Sequence, residues 1–374
     1  MSVNFRLPGP TPLPPPVVAA LGREMIPHRG SEFRAIMLET LHMARDVHRT
    51  DGDVLVWPAS GSAGWEVAIV NLFSQGDPVL AVSNGDFGDR YTQVARRLGL
   101  DVRTLTVPWG EPVLAEQVRD ALNEHPDVKG VLLVHNETST GVTNPLPELA
   151  AVIRDHGALV VVDSVSGVGA IPLEMDAWGI DLVTSGSQKA WMCPPGLLIV
   201  AAGPRVWDAQ HVAGYPRFFW DMAEARDMAR KGMTATTSPV SLIYALHAAL
   251  TMIVEEGVGA VWERHARLGI LTRSILRDGG MTPLAQPGFE SDSVTAVFTP
   301  DGVASSEMLK VLNDDFNVVA QAGQGHLRDS IVRIGHMGWA HEPEVREAAL
   351  AVVAAAKSFA GSGDAVSISP AAVG

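Results

Sequence analysis

The chain has 374 residues, 47% of them hydrophobic and 19% charged, with a formal net charge of −14 and a pI near 5.3. Such a chain is long enough for one large globular domain plus a smaller one. Its acidity argues against nucleic acid or an anionic membrane surface as main partner, though a local cationic pocket can still hold a small anion.

The opening MSVNFRLPGPTPLPPP has no basic segment followed by an apolar one, so no secretory signal is expected. No run reaches the ~18 apolar residues needed to span a bilayer. The single cysteine, Cys193, leaves no disulfide framework and fits a reducing compartment, so a cytoplasmic protein is expected.

Residues 7–16, with their many prolines, predict an extended arm, taken here to cover 1–20. From Ser31 the spacing of Phe33, Ile36, Met37, Leu41 and Ala44 is helical. Short apolar runs then alternate with amphipathic stretches: VLVW (54–57), a helix from about Gly64, PVLAV (78–82), a helix from about Phe87, and VRTLTV (102–107). GVLLVH (130–135), a helix over 145–156, ALVVVD (158–163), DLVTSG (181–186) and GLLIVAA (196–202) follow. Continuous apolar strands imply a mostly parallel sheet buried on both faces, and the alternation with helices implies a doubly wound α/β fold. Long helices end near Glu256 and begin near Val261; beyond Gly279 the pattern turns α+β, with strands at VTAVF, NVVA and SIVRIG and helices near 304–313 and 342–358. The predicted organisation is a large α/β domain over 21–257, a smaller α+β domain over 258–360, and a small, polar, disordered tail at 361–374.

Only five lysines occur: Lys129, Lys189, Lys231, Lys310 and Lys357. Lys189 stands apart, in VTSGSQKAWMCPPG, a loop of small residues after an apolar strand. Apolar surroundings lower an amine's pKa and suit it to Schiff-base chemistry, although a lysine can also simply snorkel from a strand end. Asp163 closes ALVVVD, where parallel strands present residues to a ligand crevice; it can also be read as a turn residue. Together the two match the needs of pyridoxal phosphate: an amine for the aldehyde, and a carboxylate that keeps the pyridine nitrogen protonated. Ser60, Gly61, Ser62, Ala63 and Gly64 follow a strand and open a helix, an arrangement suited to a phosphate. Arg333 interrupts the apolar run SIVRIG, so it has either a structural carboxylate or a substrate carboxylate as partner. Phe87 is placed either to stack on a flat ring or to pack in the core.

GSQKA around Lys189, VVVDSVSGVGAIPLEMDAWGIDL from Val160, HNETSTGV from His135 and VRIGHMG from Val332 together resemble the class V, fold-type I pyridoxal-phosphate aminotransferases. The alanine–glyoxylate and serine–glyoxylate group is the nearest likeness, and it runs from PGPT (8–11) to the last helix. The resemblance implies a homodimer with shared active sites and a ping-pong exchange of an amino group between a small L-amino acid and a small 2-oxo acid. It implies Lys189 as Schiff-base anchor and proton shuttle, and Asp163 on the ring nitrogen. Thr138 would bond the ring hydroxyl, and Val165 and Phe87 would face the ring. Ser62, Ala63, Gly64 and Gln188 would hold the phosphate, with Thr237 reaching across from the partner, and Arg333 would bind the substrate carboxylate. Departures are Phe87, where the family often has tryptophan, and Thr234, where some relatives have tyrosine.

GVGAIP (167–172) is half a dinucleotide fingerprint without its third glycine. The twelve histidines are scattered, so no metal site is expected. The competing reading is a lyase of the cysteine-desulfurase kind, which needs a mobile thiol; Cys193, set before two prolines, is a poor candidate. Ureidoglycine or 2-aminoethylphosphonate as donor also stays open.

Overall fold

The computed structural model describes residues 3–359, so the tail at 361–374 lies outside the described residues. Seven strands form one sheet: β1 (Asp53–Trp57), β2 (Pro78–Ser83), β3 (Asp101–Thr106), β4 (Gly130–Val134), β5 (Leu159–Asp163), β6 (Leu182–Gly186) and β7 (Leu198–Ala202). Their order is β1-β7-β6-β5-β4-β2-β3. β7 runs antiparallel to both of its neighbours, and the other pairings are parallel. Strands β4, β5 and β6 are buried at every position because helices cover both faces. β3 lies at the edge and alternates between half-buried and exposed residues. The expected mostly parallel, doubly wound α/β fold is observed.

Chain order reverses between β2 and β4, since β3 is added outward before the chain returns to form β4. Such a switch point opens a crevice at the carboxyl ends of the strands. Helices Ala63–Leu72 and Asp86–Arg97 begin beside it.

Beyond helices Val240–Glu256 and Val258–Asp278 lies an antiparallel sheet of β8 (Val294–Phe298), β9 (Gln321–Ala322) and β10 (Ile331–Gly335), in the order β8-β10-β9. Leu276, Val297, Met308, Leu312, Val332 and Val352 form its own core with helices Ser305–Phe316 and Glu342–Phe359. No single described helix is long and apolar enough to cross a membrane.

The N-terminal arm corrects one expectation. It is extended only as far as Pro14; Pro15–Leu21 is a helix with proline in its first turn, where the missing N–H costs nothing. Val17 and Ala20 of that helix are buried. The extended part joins the two sheets: Asn4–Phe5 pairs with Val318–Val319, Gly335 N donates to Arg6 O at 2.7 Å, and Thr11 N donates to Gln188 O at 3.2 Å.

Candidate active site

The crevice at the strand ends holds a cavity of about 100 Å³. Its walls follow five strand ends: Ser60–Ser62 after β1, Phe87 in the helix after β2, Asn136 and Thr138 after β4, Val165 and Ser166 after β5, and Gln188 and Lys189 after β6, together with Trp65, Val134 and Asp163. Sequence positions up to 129 residues apart thus meet because parallel strands all end on one side.

Asp163 is buried at the end of β5. Burial raises its pKa; hydrogen bonds from Val165 N (2.8 Å) and Trp65 Nε1 (2.7 Å), with the charges of Lys189 and Arg90, oppose that rise. Each carboxylate oxygen therefore has a donor, as a buried charge requires. Trp65 is held by stacking on Tyr91, with centroids 5.6 Å apart, and Arg90 lies over both the Trp65 and Phe87 rings.

Lys189 is buried, and its amine is pushed down from an ordinary 10.5 to about 8 by that burial and by the charge of Arg333, against the pull of Asp163. Its Nζ donates to the Pro8 carbonyl, and Thr11 Oγ1 donates to Lys189 O at 3.0 Å, so the arm clasps the lysine loop. Gly9 sits at φ +101, and a Cβ there would lie 2.4 Å from Lys189 Cδ and 2.7 Å from Nζ.

Arg333 projects from β10 and is buried. It forms no ion pair among the described residues; it donates instead to the Ala322 carbonyl, the Thr138 carbonyl and Gln324 Oε1. Of the two partners expected for it, the structural carboxylate is therefore not observed. Burial pushes its pKa down to about 10 against the charges of Glu137 and Asp86.

The phosphate residues divide. Ser62 and Gln188 line the cavity with Ser60 and Gly61. Ala63 and Gly64 do not: their N–H groups bond the Ser60 and Gly61 carbonyls at 3.0 and 2.9 Å. Gly64 serves packing instead, since a Cβ there would stand 2.7 Å from Thr184 Cβ. Thr237 is exposed and lies outside its own chain's cavity. Thr138 Oγ1 donates to Ser166 Oγ at 2.6 Å, which in turn accepts from Asn136 Nδ2 at 2.8 Å. Cys193 is buried, and burial drives its thiol pKa upward, the opposite of a nucleophile's need.

Sequence reasoning missed Trp65, Asn136, Ser166 and Gln324. Trp65 carried a signal: it falls three residues after Ser62, in the first turn of the helix that opens at the anion site. The other three are ordinary polar residues, distinguished only by what they touch.

The family model for aminotransferase class-V matches residues 4–338. The chain is a class-V aminotransferase. This aminotransferase is 38% identical over 93% of its length to a Synechococcus protein named as a soluble hydrogenase small subunit, of which it covers 91%. It is 36% identical to the L-aspartate–glyoxylate aminotransferase of Paracoccus denitrificans, covering 89% of this chain and 85% of that one. The alanine–glyoxylate aminotransferase structure from Nostoc sp. superposes on the aminotransferase with a TM-score of 0.90 at 31% identity, over 95% of each chain. The hydrogenase name belongs to the Synechococcus protein; the cavity of this aminotransferase is lined by Lys189 and Asp163, with Arg333 behind its wall, bonded to the carbonyl of the lining residue Thr138.

Proposed function

We propose that the aminotransferase carries pyridoxal 5′-phosphate on Lys189. With it, the enzyme moves an amino group from a small L-amino acid (alanine, serine or aspartate) to a small 2-oxo acid such as glyoxylate or pyruvate, in ping-pong order. The observation that carries this reading is the meeting of a buried amine with pKa about 8 and a buried, doubly bonded carboxylate on one cavity. Relatives named for glyoxylate with aspartate or alanine support the substrate class.

The residues fit the cofactor. Gln188 stands in the cavity wall with Oε1 buried and unpartnered, so turning the carboxamide to aim its NH2 at a phosphate gives up no bond from that oxygen, and a Cβ on Gly61 would close the space against Val165 Cγ2 at 2.7 Å. When bound, the cofactor supplies a protonated ring that draws electrons from the substrate's α-carbon. Asp163 holds the proton on the ring nitrogen, Thr138 meets the ring hydroxyl, and Val165 and Phe87 face the ring. Ser60, Gly61, Ser62 and Gln188 hold the phosphate. Lys189 Nζ takes the proton from the α-carbon and returns it, and a near-neutral amine pKa suits both directions. Arg333 binds the α-carboxylate.

Two features support a homodimer that shares its sites. Thr236 Oγ1 and Ser238 Oγ are buried without partners, while Thr237 between them is exposed and does not line its own chain's cavity. The segment would face a second copy, where Thr237 reaches the phosphate. We divide the chain into an arm at 1–20, a large domain at 21–257 and a small one at 258–360. The lone buried cysteine supports a cytoplasmic location, and the net charge of −14 supports small-molecule partners over nucleic acid.

The test is the absorbance of the bound cofactor in the purified enzyme, together with turnover, in wild type and Lys189→Ala. Loss of both in the variant is expected; an unchanged spectrum and rate would end the reading. Alanine, serine, aspartate and 2-aminoethylphosphonate, each assayed with glyoxylate, pyruvate and 2-oxoglutarate, identify the pair.

A further inference from the structure

A guanidinium has five N–H groups, and in Arg333 three are engaged by the protein itself. Nε donates to Ala322 O at 2.9 Å; Nη1 donates to Thr138 O at 3.1 Å and to Gln324 Oε1 at 2.7 Å. Nη2 donates to no group among the described residues. Two of the three acceptors are main-chain carbonyls, one in β9 and one in the loop after β4. The third is the end of a rotatable side chain.

A guanidinium grips a carboxylate best as a fork, with one N–H from each of two nitrogens. With Nε turned to Ala322 and both Nη1 hydrogens taken, Nη2 alone cannot make the fork. A second nitrogen becomes available only when an acceptor leaves, and Gln324 is the acceptor that can leave by a side-chain rotation.

Gln324 is held from its other end as well. Its Nε2 donates to Asp86 Oδ2 at 3.1 Å, on the first residue of the helix that carries Phe87. One carboxamide thus links the arginine of the C-terminal sheet to the large sheet's crevice. Beside it, His326 packs at a tilt against Trp109 with centroids 4.3 Å apart, so the same loop meets the large sheet's side twice.

From this we infer that Gln324 is a substrate-positioning gate. Its carboxamide holds Arg333 Nη1 in the substrate-free enzyme, and the incoming α-carboxylate takes over that N–H. The inference rests on Arg333 being the carboxylate clamp. It adds a specificity consequence. A carboxylate replaces a neutral acceptor with a charge-assisted one and gains; a substrate amide or ester replaces one neutral acceptor with another and gains nothing. Gln324 therefore selects for a free carboxylate.

Holoenzyme is titrated calorimetrically with propionate, which has neither amine nor keto group, in wild type, Gln324→Leu, Gln324→Glu and Arg333→Lys. Gln324→Leu frees Nη1 and is expected to bind about three- to tenfold more tightly, the scale of one net hydrogen bond. Gln324→Glu supplies a resident carboxylate to Arg333 and is expected to bind at least about tenfold more weakly. Binding by Gln324→Leu that equals or falls below wild type overturns the gate, as does unaltered binding by Gln324→Glu. If Arg333→Lys binds propionate as wild type does, the clamp itself fails, which is a separate result.

Discussion

Trp65 Nε1 donates to Asp163 Oδ2 at 2.7 Å across 98 residues of sequence, and the indole is pinned from behind by Tyr91. The bond opposes the rise in pKa that burial imposes on Asp163, and so favours the ionised form that a ring nitrogen needs. Trp65→Phe keeps the ring and removes the donor. We expect kcat to fall about ten- to a hundredfold, the scale of one hydrogen bond to a charged group. The bound cofactor's absorbance should change as well. Steady-state kinetics and absorbance titration against pH would check both, and a variant with native kcat would show that Val165 N alone suffices.

Lys189 offers a pH signature. Only the neutral amine can attack an aldehyde, and its pKa is about 8 instead of 10.5. The rate at which apoenzyme captures pyridoxal phosphate should therefore rise through about pH 8 and level off above it. Stopped-flow absorbance measures this directly. A rise that continues past pH 10 would mean that burial does not depress the amine.

Gly9 should matter to the amine more than to the fold. A side chain there would strike Lys189 Cδ and Nζ, flexible atoms that can move aside at the expense of the amine's position. In Gly9→Ala, weakened cofactor capture is expected with a melting temperature lowered by only a few degrees, the backbone cost of a positive φ being about 1 kcal/mol. Absorbance and circular-dichroism melts separate the two effects.

Arg333→Lys keeps the charge and loses the planar fork. KM for both the amino acid and the oxo acid should rise about ten- to a hundredfold while kcat changes far less, because the lost contact is present throughout the reaction. A KM unchanged for both would return Arg333 to a purely structural role.

Acid stability has an assignable cause. His48 and His135 are pushed down to about 4, and His265 to about 3, chiefly by burial. Below their unfolded value of 6.5 the unfolded chain binds protons that the native fold refuses. The histidines' contribution to stability is therefore intact above about pH 6.5 and falls between 6.5 and 4, by at most about 1.4 kcal/mol per pH unit for each, against an opposite slope from Glu137, whose carboxyl burial pushes up to about 7. Denaturant titrations at pH 7, 6 and 5 would show it, and His48→Gln or His135→Gln should flatten the slope.

Much of this was written along the chain. Unbroken valine and leucine runs at β4 and β5 admit little but a sheet buried on both faces, and Asp163 at the end of β5 and Lys189 just past β6 stand where such sheets bind ligands. The helix at Pro15–Leu21 was hidden because proline in a first turn looks, in sequence, like proline in an extended arm. Ala63 and Gly64 open a helix, which in sequence marks them as anion donors. Only the observed turn reveals that their N–H groups are already engaged.

The sheet, the lysine and aspartate at its strand ends, and an arginine too apolar in its surroundings to be idle are all legible along the chain. Burial pattern and charge are local properties, so they survive in one dimension. Who touches whom emerges only on folding: Trp65 on Asp163, Pro8 and Gly9 on the lysine amine, and Gln324 between Arg333 and Asp86. Those contacts join residues up to 238 positions apart through hydrogen bonds a few ångströms long, and nothing in the identity of a tryptophan, a glycine or a glutamine foretells its partner.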